Sequence, residues 1–195
     1  MSRYIATFLV LVSTLLLSAC KLTLVQPYDE KLLSGTEAFY KSTALAIEQA
    51  REKSPKTRKL EPGQSAEQNS GYIGHYQSTY AKMRVDANAL ILRAMVNSGE
   101  VDSWAKTTQA KIDELITSAI PSNCASGKSN INDITLTVSN YLDLKCLVSY
   151  WQQQHEEAPN KILTSVNWES RQKSLMDMII ALQKTESFKK STTAD

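Results

Sequence analysis

The sequence predicts an all-α protein: an antiparallel bundle of four to five helices that follows a leader segment. Two observations carry that reading. Apolar residues recur at spacings of three and four along each of the long stretches, which places them on one face of a helix. The six Gly and five Pro fall mostly between those stretches, and they are too few for the turns of a β-sandwich or the loops of a nucleotide-binding α/β fold. Consecutive helices joined by modest loops favour antiparallel neighbours. No internal repeat of fixed period is present.

Residues 1–19 are set apart from the rest. Arg3 supplies a positive charge, Ile5 to Leu17 is an apolar run, and Ser18 and Ala19 are small. A charged head, a short apolar core and small residues at the end make a cleaved export signal, and the run is shorter than the ~20 apolar residues of a membrane span. Cys20 stands where the cut should fall. The run Leu17-Ser18-Ala19-Cys20 resembles the lipobox of bacterial lipoproteins at every position, over the first 20 residues of the chain. The resemblance implies that the Cys20 thiol receives a diacylglycerol and the leader is cut before it. The new amino terminus is then acylated with a fatty acid such as palmitate. An ordinary export signal with an incidental Cys is the alternative. Two or more acyl chains hold a protein stably at a membrane, at ~0.8 kcal/mol per buried CH2. In that family an Asp after the Cys often retains the protein in the inner membrane, so Lys21 fits the outer-membrane case, facing the periplasm. Lys21 to Pro27 is then a tether, reaching at most ~25 Å at ~3.5 Å per residue.

The body is expected to span residues 28–189, with 190–195 as a frayed tail. Tyr28 to about Lys53 reads as the first helix, with Tyr28, Leu32, Thr36, Phe39, Thr43, Ile47 and Ala50 on one face. Glu48 and Arg51 are spaced to pair on its outer side, and Pro55 stops it. Residues 54–71 form a long polar loop, mobile or functional. Lys53, Lys56, Arg58 and Lys59 give it a basic cluster that either solvates or meets anionic lipid.

Tyr72 to Asn97 carries the clearest stripe, Tyr72, Tyr76, Tyr80, Met83, Ala87, Leu90 and Ala94. Val85, Leu92 and Val96 widen it, which predicts a central helix. Asp86 and Arg93 flank the stripe and call for partners on neighbouring elements. Trp104 to Ile120 is a third helix, capped by Asp102 or Ser103. A fourth opens at Asn132 or Asp133 and runs to about Glu157, with a short strand as the alternative for Ile134–Val138. Asn167 caps a last helix, Trp168 to about Lys189, with Trp168, Leu175, Met178, Ile179 and Leu182 facing inward.

With Cys20 lipidated, Cys124 and Cys146 remain as an even pair in an exported protein, where disulfides are favoured. A helix beginning at Asp133 would place Cys146 about 20 Å along it, so the loop would have to fold back to bring the Cα atoms within about 7 Å. Both states of the pair stay open at this point.

The residues offer little chemistry. The two His, His75 and His155, lie on different expected helices and read as surface residues at helix ends, so no metal ligand set and no metal is expected. Ser170 and Lys173 have an SxxK spacing, as do Ser187 and Lys190, without the partner motifs that make it catalytic. No phosphate loop, CxxC or GxSxG occurs, and no cofactor is expected. The formal net charge is +2, one unit of it from Arg3 in the leader, which excludes a strong nucleic-acid footprint.

The leading expectation is a non-enzymatic lipoprotein, fixed to a membrane through Cys20 and working on an envelope protein by contact, as an accessory or an inhibitor. A second is a small apolar-ligand binder with a pocket of Tyr76, Tyr80, Tyr141 and Trp151. The third is a hydrolase using Ser170.

Overall fold

A computed structural model describes residues 28–97 and 135–192, together with Ile116 and Cys124. The described residues form four α-helices: α1 (Glu30–Lys53), α2 (Gln77–Asn97), α3 (Leu136–Glu157) and α4 (Ser165–Thr192). The expected third helix, Trp104 to Ile120, lies outside the described residues except for Ile116, which is helical.

α1 begins at Glu30, two residues after the expected start at Tyr28. Asp29 is the N-cap, and its carboxylate accepts from the backbone N–H of Lys31 at 2.9 Å and of Leu32 at 3.3 Å. The buried residues are Leu32, Thr36, Phe39, Thr43, Ile47 and Ala50, the stripe read from the spacing without Tyr28, which precedes the helix and is only half-buried. Glu48 and Arg51 pair on the outer side.

The loop after α1 is tied down. Arg58 donates to the Ile162 carbonyl at 2.9 Å and to Asn167 Oδ1 at 3.0 Å. The Leu163 N–H donates to the Gly71 carbonyl, and the Ser165 N–H to the Pro55 carbonyl, each at 3.0 Å. Gly71 is required there, because a Cβ would stand 2.3 Å from the Leu163 carbonyl oxygen. Of the basic cluster, Arg58 therefore serves the fold, while Lys53, Lys56 and Lys59 are exposed.

Tyr72 forms a single antiparallel bridge with Ile162. That extended residue delays the second helix. A 3-10 turn, Ile73–Tyr76, precedes α2, which starts at Gln77 and not at Tyr72. The stripe of α2 is buried from Tyr80 to Ala94, but its wide side is the reverse of the expected one. Ile91 and Met95 are buried, whereas Val85, Leu92 and Val96 are 64%, 45% and 61% exposed. The most enclosed helix is α3, with eleven buried residues among its 22.

α3 starts at Leu136, capped by Thr135, and Leu136–Val138 is helical, so the strand alternative fails. The turn from α3 to α4 places Asn160 and Lys161 at φ 57° and 56°. Asn tolerates that left-handed conformation and Lys seldom does, and together they reverse the chain so that Ile162 meets Tyr72. α4 begins at Ser165, three residues before the expected start. Asn167 sits in its first turn and reaches back: its Oδ1 accepts from the Thr164 N–H at 3.0 Å and the Thr164 hydroxyl at 2.9 Å. The helix continues to Thr192, past the expected end at Lys189, and residues 193–195 lie outside the described part.

α1 packs chiefly on α4 and α2 on α3, with α1–α2 and α3–α4 closing the ring. Contacts pair the helices head to tail: Tyr80 with His155, Thr137 with Lys189, Asp29 with Arg93. The chain is an all-α, up-and-down bundle with two distinct ends. The N-termini of α1 and α3 and the C-termini of α2 and α4 make one end, called the tether end after the tether expected before Tyr28. The other is the loop end. Among the described residues no helix is long and apolar enough to cross a membrane.

Cys124 and Cys146 are joined by a disulfide, with Cα atoms 5.4 Å apart. Because α3 starts at Leu136, Cys146 lies about 15 Å along it, and Cys124 folds back beside it. Tyr150 donates to the Cys124 carbonyl, and Asn88 and Lys145 both donate to the Ile116 carbonyl at 3.0 Å.

Candidate functional site

The loop end holds a cluster of buried aromatic and basic side chains. α2 contributes Tyr80, α3 contributes Trp151 and His155, α4 contributes Trp168 and Arg171, and the 3-10 turn contributes Tyr76. All six are buried. They meet because three stripes converge at this end: Tyr80 opens the stripe of α2, Trp151 and His155 close that of α3, and Trp168 and Arg171 begin that of α4.

Two hydrogen-bond chains cross the cluster, and the chemistry of their last acceptors fixes their direction. The Gly71 carbonyl can only accept, so His155 Nε2, 2.8 Å away, carries a proton. His155 Nδ1 is then an acceptor, and the Tyr80 hydroxyl donates to it at 3.0 Å. The Tyr80 oxygen in turn accepts from Arg171, which also donates to the Trp151 carbonyl. In the second chain the Trp168 indole N–H donates to Ser54 Oγ at 2.8 Å, Ser54 donates to Tyr76 at 3.2 Å, and Tyr76 donates to the Ser70 carbonyl at 2.8 Å. Both chains end on consecutive carbonyls of the long loop. That is why the loop is ordered despite its polar composition.

The electrostatics follow from burial. Burial pulls the His155 imidazole down to about 4, the Arg171 charge adds to that, and the bond to Gly71 opposes it. The ring is neutral near pH 7, as the chain requires. Burial pushes the Tyr80 hydroxyl up to about 12, against the pull of Arg171. The expectation that His155 is a surface residue is wrong: it is fully buried, at a helix end that the loop covers. His75 is exposed, with a ring nitrogen 3.0 Å from the Glu67 carbonyl oxygen.

Arg171 is the unusual member. It is 4% exposed. Its guanidinium carbon lies 4.7 Å from the Trp168 ring centroid, 5.6 Å from Tyr80 and 5.9 Å from Trp151, all within cation–π range. Both of its hydrogen-bond acceptors are neutral, and among the described residues no carboxylate forms an ion pair with it. Beside it, between α3 and α4, opens a cleft of about 640 Å³ lined in part by Arg58, Tyr150, Trp151, Glu157, Ser170 and Arg171.

The four rings expected to line one pocket do not converge. Tyr76, Tyr80 and Trp151 belong to this cluster, whereas Tyr141 lies toward the middle of the bundle with its hydroxyl 2.7 Å from Thr36 Oγ1. Tyr80 and Trp151 are packed into the core, and Trp151 alone of the four lines the α3–α4 cleft. Ser170 also lines the cleft, but its hydroxyl donates to the Val166 carbonyl of its own helix at 3.3 Å. Arg93 finds the partner it called for, Asp29 on α1, and Asp86 finds one within its own helix, Lys82. Cys20 lies outside the described residues. Among the described residues no group of three His, Cys, Asp or Glu could hold a metal ion.

Arg171 and His155 escaped the sequence reading. The signal was present in α4, whose buried stripe Trp168, Arg171, Leu175, Ile179, Leu182, Glu186 and Lys189 carries charges at both ends. No protein family, curated protein or solved structure matches the chain.

Proposed function

We propose that this protein is an exported lipoprotein, anchored through acylated Cys20 at the periplasmic face of the outer membrane. Its helical body acts there on an envelope protein by contact, as an accessory or an inhibitor and not as an enzyme. The observation that carries the reading is the run Leu17-Ser18-Ala19-Cys20 behind a charged, apolar leader. The tether from Cys20 enters the bundle at Tyr28, so the tether end would rest near the headgroups and the loop end would face away. α1 alone accounts for about 36 Å of that distance. The contact reading is supported by Val85, Leu92 and Val96, three large apolar side chains exposed along one side of α2. Cell fractionation tests the anchor. The native chain should sediment with membranes, and Cys20→Ala should remain an uncleaved precursor that loses its place in the outer membrane. Processing and outer-membrane recovery unchanged by that substitution would contradict it.

A further inference from the structure

We propose that the α3–α4 cleft at the loop end binds a small organic acid, its carboxylate on the Arg171 guanidinium and its apolar body on Tyr150, Trp151 and Leu163. This goes beyond the lipid-anchored reading and does not depend on it. A guanidinium has five N–H donors. Here Arg171 gives one bond each to the Tyr80 hydroxyl and the Trp151 carbonyl, both neutral. Buried charges are ordinarily paired with an opposite charge; ring faces reduce the cost of this one but do not neutralise it. Burial makes the charged form less favourable, a cost that a bound carboxylate would offset. Arg171 lines a cleft of about 640 Å³, within the size range of small-molecule sites. A carboxylate fits better than a phosphate dianion on two counts. Glu157 also lines the cleft and repels added negative charge. Arg58, the second guanidinium there, is committed to the Ile162 carbonyl and Asn167 Oδ1.

The test is calorimetric titration of the purified full chain with 3-phenylpropionate and octanoate, against their amides and inorganic phosphate. At least one acid should bind saturably with one site, its amide about ten-fold or more weaker, and phosphate should not bind. Arg171→Met should abolish the acid's binding. Because that change lies in the core, Ser174→Trp is the second variant: Ser174 is exposed and lines the cleft, so the ring fills the site without disturbing the cluster. It should abolish binding with an unchanged thermal midpoint. The proposal is overturned if neither acid binds, if acid and amide bind alike, if phosphate binds in their place, or if either variant binds the acid as the native chain does.

Discussion

The two ends of the bundle treat buried charge in opposite ways. At the tether end two buried charges, Asp29 and Lys189, meet an opposite charge. Asp29 receives two bonds from Arg93, at 2.5 and 3.1 Å. Burial opposes its charge, but Arg93 and the N–H groups of Leu32 and Lys31 outweigh that and hold the carboxyl below its ordinary value. Lys189, 1% exposed, meets Glu186 at 2.6 Å and the Thr137 hydroxyl at 2.7 Å. At the loop end Arg171 is almost as deeply buried and has ring faces, a hydroxyl and a carbonyl around it. The difference separates two uses of a buried ion. The tether-end pairs join one helix to the next or one turn to another, whereas the loop-end charge holds aromatic side chains in place beside an open cleft.

Substitutions at the two ends can break that contrast. The largest loss should come from Glu186→Ala, which removes the carboxylate beside buried Lys189; breaking a buried pair costs about 3–5 kcal/mol, read by urea unfolding. Cys146→Ser should follow at about 3 kcal/mol, since the disulfide ties Cys124 to α3 across a separation of 22 residues. A third effect belongs to the loop end and shows in pH. The folded state holds His155 neutral with its affinity for protons lowered to about 4, against about 6.5 when unfolded. The unfolded chain therefore binds the proton first. The His155 contribution should be at its plateau above pH 6.5 and fall as the pH drops toward 4, by about 3 kcal/mol over that window. His155→Gln should flatten that slope. Asp29 acts lower still: its folded value is depressed, so its contribution is lost only as the pH falls below the ordinary carboxylate range. Arg171→Met should change stability by only about 1 kcal/mol or less, because the loss of ring and hydroxyl contacts is offset by relief of an unpaired charge. A loss as large as that of Glu186→Ala would erase the distinction between the ends. The smallest effect should be that of Glu48→Ala, whose pair with Arg51 lies on the solvent side of α1; its unfolding curve should overlay that of the native chain.

The sequence made the first of these ends easier to read than the second. The stripe of α1 and its closing Pro55 are legible because both are local signals; its start is not, since Asp29 caps the helix two residues into the expected span. The stripe of α2 is legible too, but not which side of it widens: Ile91 and Met95 on one side, Val85, Leu92 and Val96 on the other, are equally apolar, and only the position of α3 decides between them. The loop-end cluster depends on partners far apart in the chain. Tyr80 and His155 are 75 residues apart, and Trp168 and Ser54 are 114 apart. Nothing local marks His155 as buried, since the loop that covers it looks like solvent-exposed chain until its carbonyls are seen to be the acceptors of the core. Ring type alone groups Tyr141 with Tyr76 and Tyr80, whereas its position along α3 places it nearer the other end.

The proposed orientation, with the tether end toward a bilayer, rests on a single proposed modification, the acylation of Cys20. Mass spectrometry of the amino-terminal peptide of the protein purified from its native cells reads it directly. The account predicts a chain that starts at Cys20 and carries a thioether-linked diacylglycerol and an amide-linked fatty acid. A chain starting at another residue, or a Cys20 whose mass includes no lipid, would contradict it.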